Sequence, residues 1–170
     1  MKKLFIVSII VSLILLCGCS KYEKKLYLPE AKNDKLYTVT TEAEIYKGDG
    51  YTINISDKIY RYEKDFDEGF LEESWERKKS DDVKITVSTY KNTDETTARG
   101  IFLRENDDYI FEDLMGYSIC GIKADGDTLW FNLHIAGEDV YIVSWKYPKN
   151  AGENIKEELS GIAQTFRITN

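Results

Sequence analysis

Cysteine, histidine and proline are scarce in this sequence, and the shortages exclude several classes of protein. Its 170 residues include three cysteines, one histidine and two prolines. Cys17 and Cys19 lie near the N-terminus with one residue between them. Cys120 is therefore the only thiol in the rest of the chain. A single thiol can form neither an internal disulfide framework nor a multi-cysteine metal site. A hydrophobic core must therefore hold the fold together.

Long hydrophobic runs are also lacking, apart from one short run at the N-terminus. Lys2 and Lys3 precede an apolar stretch from Leu4 to Leu16 that is interrupted only by Ser8 and Ser12. This stretch has about 13 residues, fewer than the roughly 20 that span a bilayer as a helix. A positive start followed by a short apolar run predicts a secretory signal peptide that is removed from the mature protein.

The residues that end this run, Leu16-Cys17-Gly18-Cys19, resemble the bacterial lipobox. In lipoproteins the last cysteine of that motif is acylated on its thiol and becomes the first residue of the mature chain. The resemblance implies that residues 1–18 are a lipoprotein signal peptide and that Cys19 carries a palmitate-type lipid. It also implies anchoring to the extracytoplasmic side of the cell membrane. Cys17 departs from the residues commonest at its position, and a non-lipidated export signal is the alternative.

The charge balance is acidic, with 23 lysines and arginines against 30 aspartates and glutamates. Removal of Lys2 and Lys3 with the leader leaves 21 basic residues and a net charge near −9. Nucleic-acid binding depends on a basic footprint and is therefore not expected. A basic patch that would help membrane attachment is also missing, so the anchor must come from covalent lipid. One acyl chain holds only marginally, and the resemblance to lipoproteins implies several.

Residues 19–35 are polar and lysine-rich, contain Pro29 and show no sustained period, which predicts a lipid-anchored tether. Residues 36–170 then suffice for a single domain. Alternation with a period of two predicts about seven strands in that domain. In chain order they cover residues 36–46, 51–56, 70–79, 83–91, 117–124, 128–136 and 140–147. Ser80-Asp81-Asp82 is the predicted turn of the second hairpin.

Two segments have helical spacing instead. The first runs from Thr93, a candidate N-cap, to about Glu105. The second is the final segment, 153–168, whose apolar residues recur at i, i+4, i+7, i+8 and i+11, namely Ile155, Leu159, Ile162, Ala163 and Phe166. This stripe predicts a helix that lies across the sheet. The expected fold class is α+β, with an antiparallel sheet of about six or seven strands flanked by helices.

The order of these elements resembles the PsbP-like or Mog1-like fold found in small bacterial lipoproteins. The resemblance covers residues 45–168 and rests on a hairpin opening with GDGYTINIS, a helix after a mid-chain strand, a strand ending VYIVSWKYP, and the ending IAQTFRI. It implies an antiparallel sheet flanked by helices. Proteins of this fold have mixed roles, so function has to be argued from a site.

The sequence offers little catalytic chemistry. His134 is the only histidine and no serine lies in a Gly-x-Ser-x-Gly motif, so a hydrolase triad is not supported. In the strand 128–136, Trp130, Asn132 and His134 alternate with apolar residues and therefore share the opposite face. Aromatic and amide groups suit sugars and peptides, which makes these three a candidate ligand-binding face. The alternative is a partly covered outer face, with His134 as a surface or groove residue rather than a metal ligand.

Several pairs of acids and one cysteine have simpler interpretations than a functional site. The acids at 65–68, 81–82, 107–108 and 125–127 could bind calcium in principle, but none has EF-hand spacing, which favours solvated turns. Cys120 lies between Ile119 and Ile122 in a predicted strand, which favours a small core residue over a redox group. No metal or cofactor is predicted.

The sequence therefore favours a membrane-anchored, extracytoplasmic lipoprotein domain that is a non-enzymatic binding or accessory module. Its partner, besides the membrane, would be a protein, a peptide or a glycan. The alternative is a lipid-anchored hydrolase acting on cell-wall or extracellular glycans, whose two carboxylates would be hidden among the 30 acids. An acidic pair converging in a cleft would favour the hydrolase, and a shallow aromatic groove would favour the binding module.

Overall fold

The computed structural model describes residues 43–67, 69–112 and 118–169 of the chain. In chain order the elements are β1 (Glu44–Lys47), β2 (Tyr51–Ile55), β3 (Tyr60–Asp67), β4 (Phe70–Arg77), β5 (Ser80–Tyr90), α1 (Glu95–Glu105), β6 (Ile110–Glu112), β7 (Ser118–Ile122), β8 (Thr128–Ala136), β9 (Asp139–Tyr147), α2 (Glu153–Gln164) and β10 (Arg167–Ile168). Three predicted features lie outside the described residues: the lipidation site Cys19, the tether of residues 19–35, and Tyr117 as the first residue of a strand.

The strands form two antiparallel sheets. Seven strands make the main sheet in the order β3-β4-β5-β9-β8-β7-β6, and three make a small sheet in the order β1-β2-β10. Most neighbours in the main sheet follow one another in the chain, and the pairing of β5 with β9 joins its two halves. The predicted α+β fold, an antiparallel sheet flanked by helices, is confirmed. The small sheet was not predicted, because β10 reaches β2 only through the tertiary fold.

Each face of the main sheet packs against other elements. One face packs against α2 and the small sheet in a core that includes Val143 and Leu159. The other packs against α1 in a core that includes Phe102 and Ile142. Along β9 every side chain from Val140 to Trp145 is buried, because this central strand has a layer on each side.

The first helix begins slightly later than predicted. Asp94, not Thr93, is the N-cap of α1, and its carboxylate accepts a hydrogen bond from the Thr97 N–H at 3.0 Å. The Thr93 hydroxyl instead donates to the Lys91 carbonyl at 2.9 Å. An aspartate at this position satisfies one of the free N–H groups of the first turn and places negative charge at the positive end of the helix.

The last helix ends earlier than predicted, at Gln164 rather than near Ile168. Thr165 ends it by donating its hydroxyl to the Ile162 carbonyl at 2.6 Å and accepting the Asn54 N–H at 2.9 Å. The chain then turns into β10. Phe166 therefore enters the core from the segment after the helix. Within the described residues, neither helix is long and apolar enough to cross a bilayer.

Two further strands, β3 and β6, were also missed, and one turn was misplaced. Lys64 interrupts the apolar side of the alternation in β3, and the exposed Arg61 and Glu63 protect this sheet edge with charge. The second hairpin turns at residues 78–79 instead of 80–82, because a register shift after Glu76 pairs Arg77 directly with Ser80.

Candidate functional site

An open groove separates α2 from the neighbouring strands of the main sheet. It has a volume of about 370 Å³. Strands β7, β8 and β9 form its floor with Ser118, Trp130, Asn132, Trp145 and Tyr147. Helix α2 forms its wall with Glu153, Lys156, Glu157, Ser160, Gly161 and Gln164. The groove arises because α2 covers β9 and leaves part of β7 and β8 uncovered.

The floor of the groove is a pair of parallel indole rings. Trp130 and Trp145 lie directly opposite each other on β8 and β9, with ring planes 8° apart and centroids separated by 6.3 Å. The Trp130 Nε1–H donates to the Tyr147 hydroxyl at 3.0 Å, which fixes the orientation of the indole. Trp145 is buried and Trp130 is half-buried, so Trp130 presents most of the accessible aromatic surface.

The wall of the groove is polar along its whole length. Its residues follow the helical period at positions 153, 156, 157, 160, 161 and 164, beside the apolar stripe that faces the core. The Lys156 ammonium pairs with Glu153 at 3.3 Å and lies 5.9 Å from the centroid of the Tyr147 ring. The wall therefore offers carboxylate, ammonium, hydroxyl and amide groups to a ligand.

Gly161 leaves open space in the middle of the wall. A Cβ atom at this position would have no neighbour within 4 Å among the described residues. Glycine inside a helix costs about 1 kcal/mol relative to alanine, and nothing in the packing requires the smaller residue. The groove is therefore open in front of Gly161.

This open space predicts that Gly161→Ala stabilises the domain. The free energy of unfolding should rise by up to about 1 kcal/mol, and the melting temperature by about 2–4 °C for a chain of this size. Thermal and urea denaturation would measure both. Gly126→Ala is the control, because φ at Gly126 is +95° and alanine would be strained there. A lower stability for Gly161→Ala would contradict an open groove.

The structure separates the three residues of the predicted ligand face. Trp130 and Asn132 line the groove, and the Asn132 Oδ1 accepts a hydrogen bond from the Ser118 hydroxyl. His134 lies outside it, with its ring 4.6 Å from that of Phe166. Its Nε2 is buried without a hydrogen-bond partner among the described residues. Burial, assisted by nearby Arg167, lowers the pKa of His134, which keeps the ring neutral.

The acidic turns that the structure describes do not gather into a group of metal ligands. Within the described residues, no three His, Cys, Asp or Glu side chains lie close enough together to hold an ion. The Asp125 carboxylate accepts the Asp127 N–H at 3.1 Å, and Asp127 accepts the Lys149 N–H at 3.3 Å, so these acids close a turn. Cys120 is half-buried on the groove side of β7, opposite Trp130, and burial raises the pKa of its thiol.

A buried carboxylate under the small sheet was missed by the sequence analysis. Glu73 on β4 is 1% exposed. Its two oxygens accept hydrogen bonds from three tyrosine hydroxyls, those of Tyr46 at 2.6 Å, Tyr51 at 2.7 Å and Tyr62 at 2.7 Å. The tyrosines come from β1, β2 and β3, so the cluster connects both sheets. No sequence signal joins residues from four strands, and only the fold could reveal it.

Glu73 is held in its charged form. Burial alone would raise its pKa, but the three tyrosine hydrogen bonds and the charge of Lys64, 3.5 Å away, outweigh burial and lower the pKa below 4.5. Burial and the hydrogen bond to Glu73 in turn raise the pKa of Tyr46 and Tyr51. Two strands, β5 and β9, separate the cluster from Asn132 on the same face of the main sheet, so the cluster does not reach the groove.

No family profile matches the sequence. No curated protein matches it either. Solved structures do. The solution structure of cyanobacterial PsbP (CyanoP) from Synechocystis sp. PCC 6803 matches 77% of this chain and 95% of its own, with a TM-score of 0.53 and 11% identity. The chain has a PsbP-like fold.

A second similar structure is a crystal structure of a protein from Bacteroides thetaiotaomicron VPI-5482. It matches 76% of this chain with a TM-score of 0.45 and 15% identity. The chain spans about half of that protein, 49% of its length. The PsbP-like architecture is therefore established for this chain by CyanoP, and its function has to be argued from its own residues.

Proposed function

We propose that this PsbP-like chain is a lipid-anchored, extracytoplasmic binding module that presents the groove beside α2 to its ligand. The N-terminal sequence supports the anchor, because a charged start, a short apolar run and Leu16-Cys17-Gly18-Cys19 occur in the order of a lipoprotein leader. The groove supports the binding role. It is the observation on which the proposal depends, because it combines an aromatic floor with a polar wall in an open cleft.

The arrangement of carboxylates favours binding over hydrolysis. Glycosidases place two carboxylates on either side of the scissile bond, roughly 5–10 Å apart, and shield the acid from water. The two carboxylates that line this groove, Glu153 and Glu157, both belong to α2 and lie on one wall. The Glu153 side chain is 75% exposed and paired with Lys156. A lipid-anchored glycan hydrolase is therefore the second candidate.

The anchor predicts that Cys19→Ser abolishes lipidation. Cells fed an alkyne-tagged palmitate should label the wild-type chain, and the label should vanish in the variant because the acceptor thiol is gone. The variant should also be released from the membrane or remain unprocessed. Fluorescent detection on a gel, with fractionation of membranes, would measure both.

Cys17→Ser is the matched control for this experiment. Cys17 is two residues away and, by the lipobox resemblance, leaves with the signal peptide. Its replacement should leave labelling intact. Persistent label in Cys19→Ser, or loss of label in Cys17→Ser, would contradict the proposed anchor.

A further inference from the structure

We infer that the groove binds a neutral oligosaccharide of pyranose rings, an inference that rests on the proposed binding function and specifies its ligand. A pyranose presents an apolar face of C–H groups and a rim of hydroxyls that both donate and accept hydrogen bonds. A site for it therefore needs a flat aromatic surface and polar side chains of mixed kind around the edge. The groove provides both.

The floor matches the apolar face of a sugar. The Trp130 ring is held by its hydrogen bond to Tyr147, and Trp145 supports it from the neighbouring strand with its plane within 8°. A rigid indole offers a large contact area and loses little conformational entropy on binding. The floor thus presents a preformed platform on which one ring can pack.

The polar side chains of the wall, together with Asn132 in the floor, match the hydroxyl rim of a sugar. Gln164 and Asn132 carry amide groups that can both donate and accept, and Ser160 carries a hydroxyl with the same versatility. The charges nearly balance, since Lys156 lies between Glu153 and Glu157 in the wall. Mixed donors and acceptors of low net charge suit a neutral polyhydroxylated ligand.

The same lining disfavours the other ligand classes. An anionic ligand would meet two carboxylates and one ammonium that is already paired with Glu153, and an acyl chain would meet the polar wall. An extended peptide could not add as a strand, because β7, β8 and β9 are each hydrogen-bonded on both sides. A peptide helix would need an apolar groove, and only the floor is apolar. A glycan needs neither a free strand edge nor an apolar wall.

The test is titration of the full-length protein in detergent micelles with two neutral tetrasaccharides, tetra-N-acetylchitotetraose and cellotetraose. Isothermal calorimetry and tryptophan fluorescence would report binding, and Trp130 would be the main reporter. The decisive variant is Gly161→Leu, whose side chain would fill the groove from a position where a Cβ meets no neighbour. We expect its dissociation constant to rise at least tenfold, about 1.4 kcal/mol.

Gly100→Leu is the matched control. Gly100 is also inside a helix, α1, and a Cβ there would likewise meet nothing within 4 Å among the described residues. Its affinity should remain within about twofold of wild type, under 0.5 kcal/mol. Melting temperatures of both variants would verify folding. Trp130→Phe, which keeps an aromatic ring but loses the Nε1–H and half of the platform, should weaken binding by a smaller factor.

The outcomes separate this inference from the function on which it rests. No binding of either tetrasaccharide, or binding insensitive to Gly161→Leu, would overturn the glycan assignment. Another outcome is that the groove binds a cationic pentalysine probe in place of both tetrasaccharides, with Gly161→Leu abolishing that binding. This result would overturn the glycan assignment and leave the proposed binding function standing. Cleavage of a bound tetrasaccharide would support the glycan and overturn the non-enzymatic function. Loss of the anchor would show separately, in the Cys19→Ser labelling.

Discussion

Replacing Glu73 by alanine should lower the free energy of unfolding by about 3 kcal/mol. Removal of one member of a buried, hydrogen-bonded cluster leaves its partners without compensation. The three tyrosine hydroxyls would lose their common acceptor, and the buried Tyr51 could not recover it from water. Urea denaturation at neutral pH would measure the loss.

Glu72→Ala is the control for this substitution. Glu72 is adjacent on β4, points to the opposite face and pairs with Lys84 at 3.1 Å, with 34% of its side chain exposed. Such a partly exposed pair, open to water on one side, contributes little, about 1 kcal/mol. Equal effects at the two positions would mean that the tyrosine cluster does not stabilise the fold.

The cluster also determines how the stability of the fold changes with pH. The folded pKa of Glu73 lies below its ordinary value of 4.5, so the folded state favours the carboxylate. The stabilisation is present above the unfolded pKa and is lost as the pH falls through the folded pKa. Stability of the wild type should therefore drop below about pH 4.5 by an increment that Glu73→Gln lacks. A Glu73→Gln variant with the same acid slope would assign that slope to other carboxylates.

Phe166→Ala should lower the free energy of unfolding by about 3–5 kcal/mol, because it removes a buried ring and leaves a cavity. The ring is 3% exposed and packs on Tyr51 with centroids 5.2 Å apart and on Tyr141 at 5.9 Å. It thereby connects the segment between α2 and β10 to both sheets. This loss is a large part of the 5–15 kcal/mol that holds an ordinary domain together. Thermal denaturation would show a drop of many degrees.

Gln164→Ala serves as the control for Phe166. Gln164 is exposed, and its amide donates a 3.3 Å hydrogen bond to Ser160 within the same helix. Its replacement should change stability by less than about 0.5 kcal/mol, as for other surface sites. Small effects at both positions would mean that the end of the chain is not part of the core.

Local pattern predicted the architecture but not the details that depend on distant contacts. Burial of one face leaves a periodic pattern of apolar residues within a single segment. The alternation in β8 and the apolar stripe of α2 are patterns of this kind, so they could be predicted. Phe166 continues the period of that stripe and is buried as predicted, yet it lies beyond the helix. At the end of the helix, the Thr165 hydroxyl accepts a hydrogen bond from Asn54, a residue 111 positions earlier that no local pattern could reveal.

Only part of the candidate site could be predicted from the sequence, because the rest depends on contacts between distant residues. Trp130 and Asn132 share a strand face, which alternation reveals. Gly161 and the polar stripe of α2 became a groove wall only when the helix docked beside them. His134 was assigned to the same face, but Phe166 covers it. Glu73 gave no signal, because an acid in a strand usually faces water.

The small sheet gathers both ends of the described domain, with β1 on one side of β2 and β10 on the other. With the anchor that we propose at Cys19, any tension between membrane and ligand enters the domain through β1. Glu44 pairs with Ile55 at the open end of the hairpin, so β1 is the first paired strand that a pull on the tether would reach. The first side chain to resist is Tyr46, bound to Glu73. The tyrosine cluster would then act as a mechanical latch between the membrane and the groove.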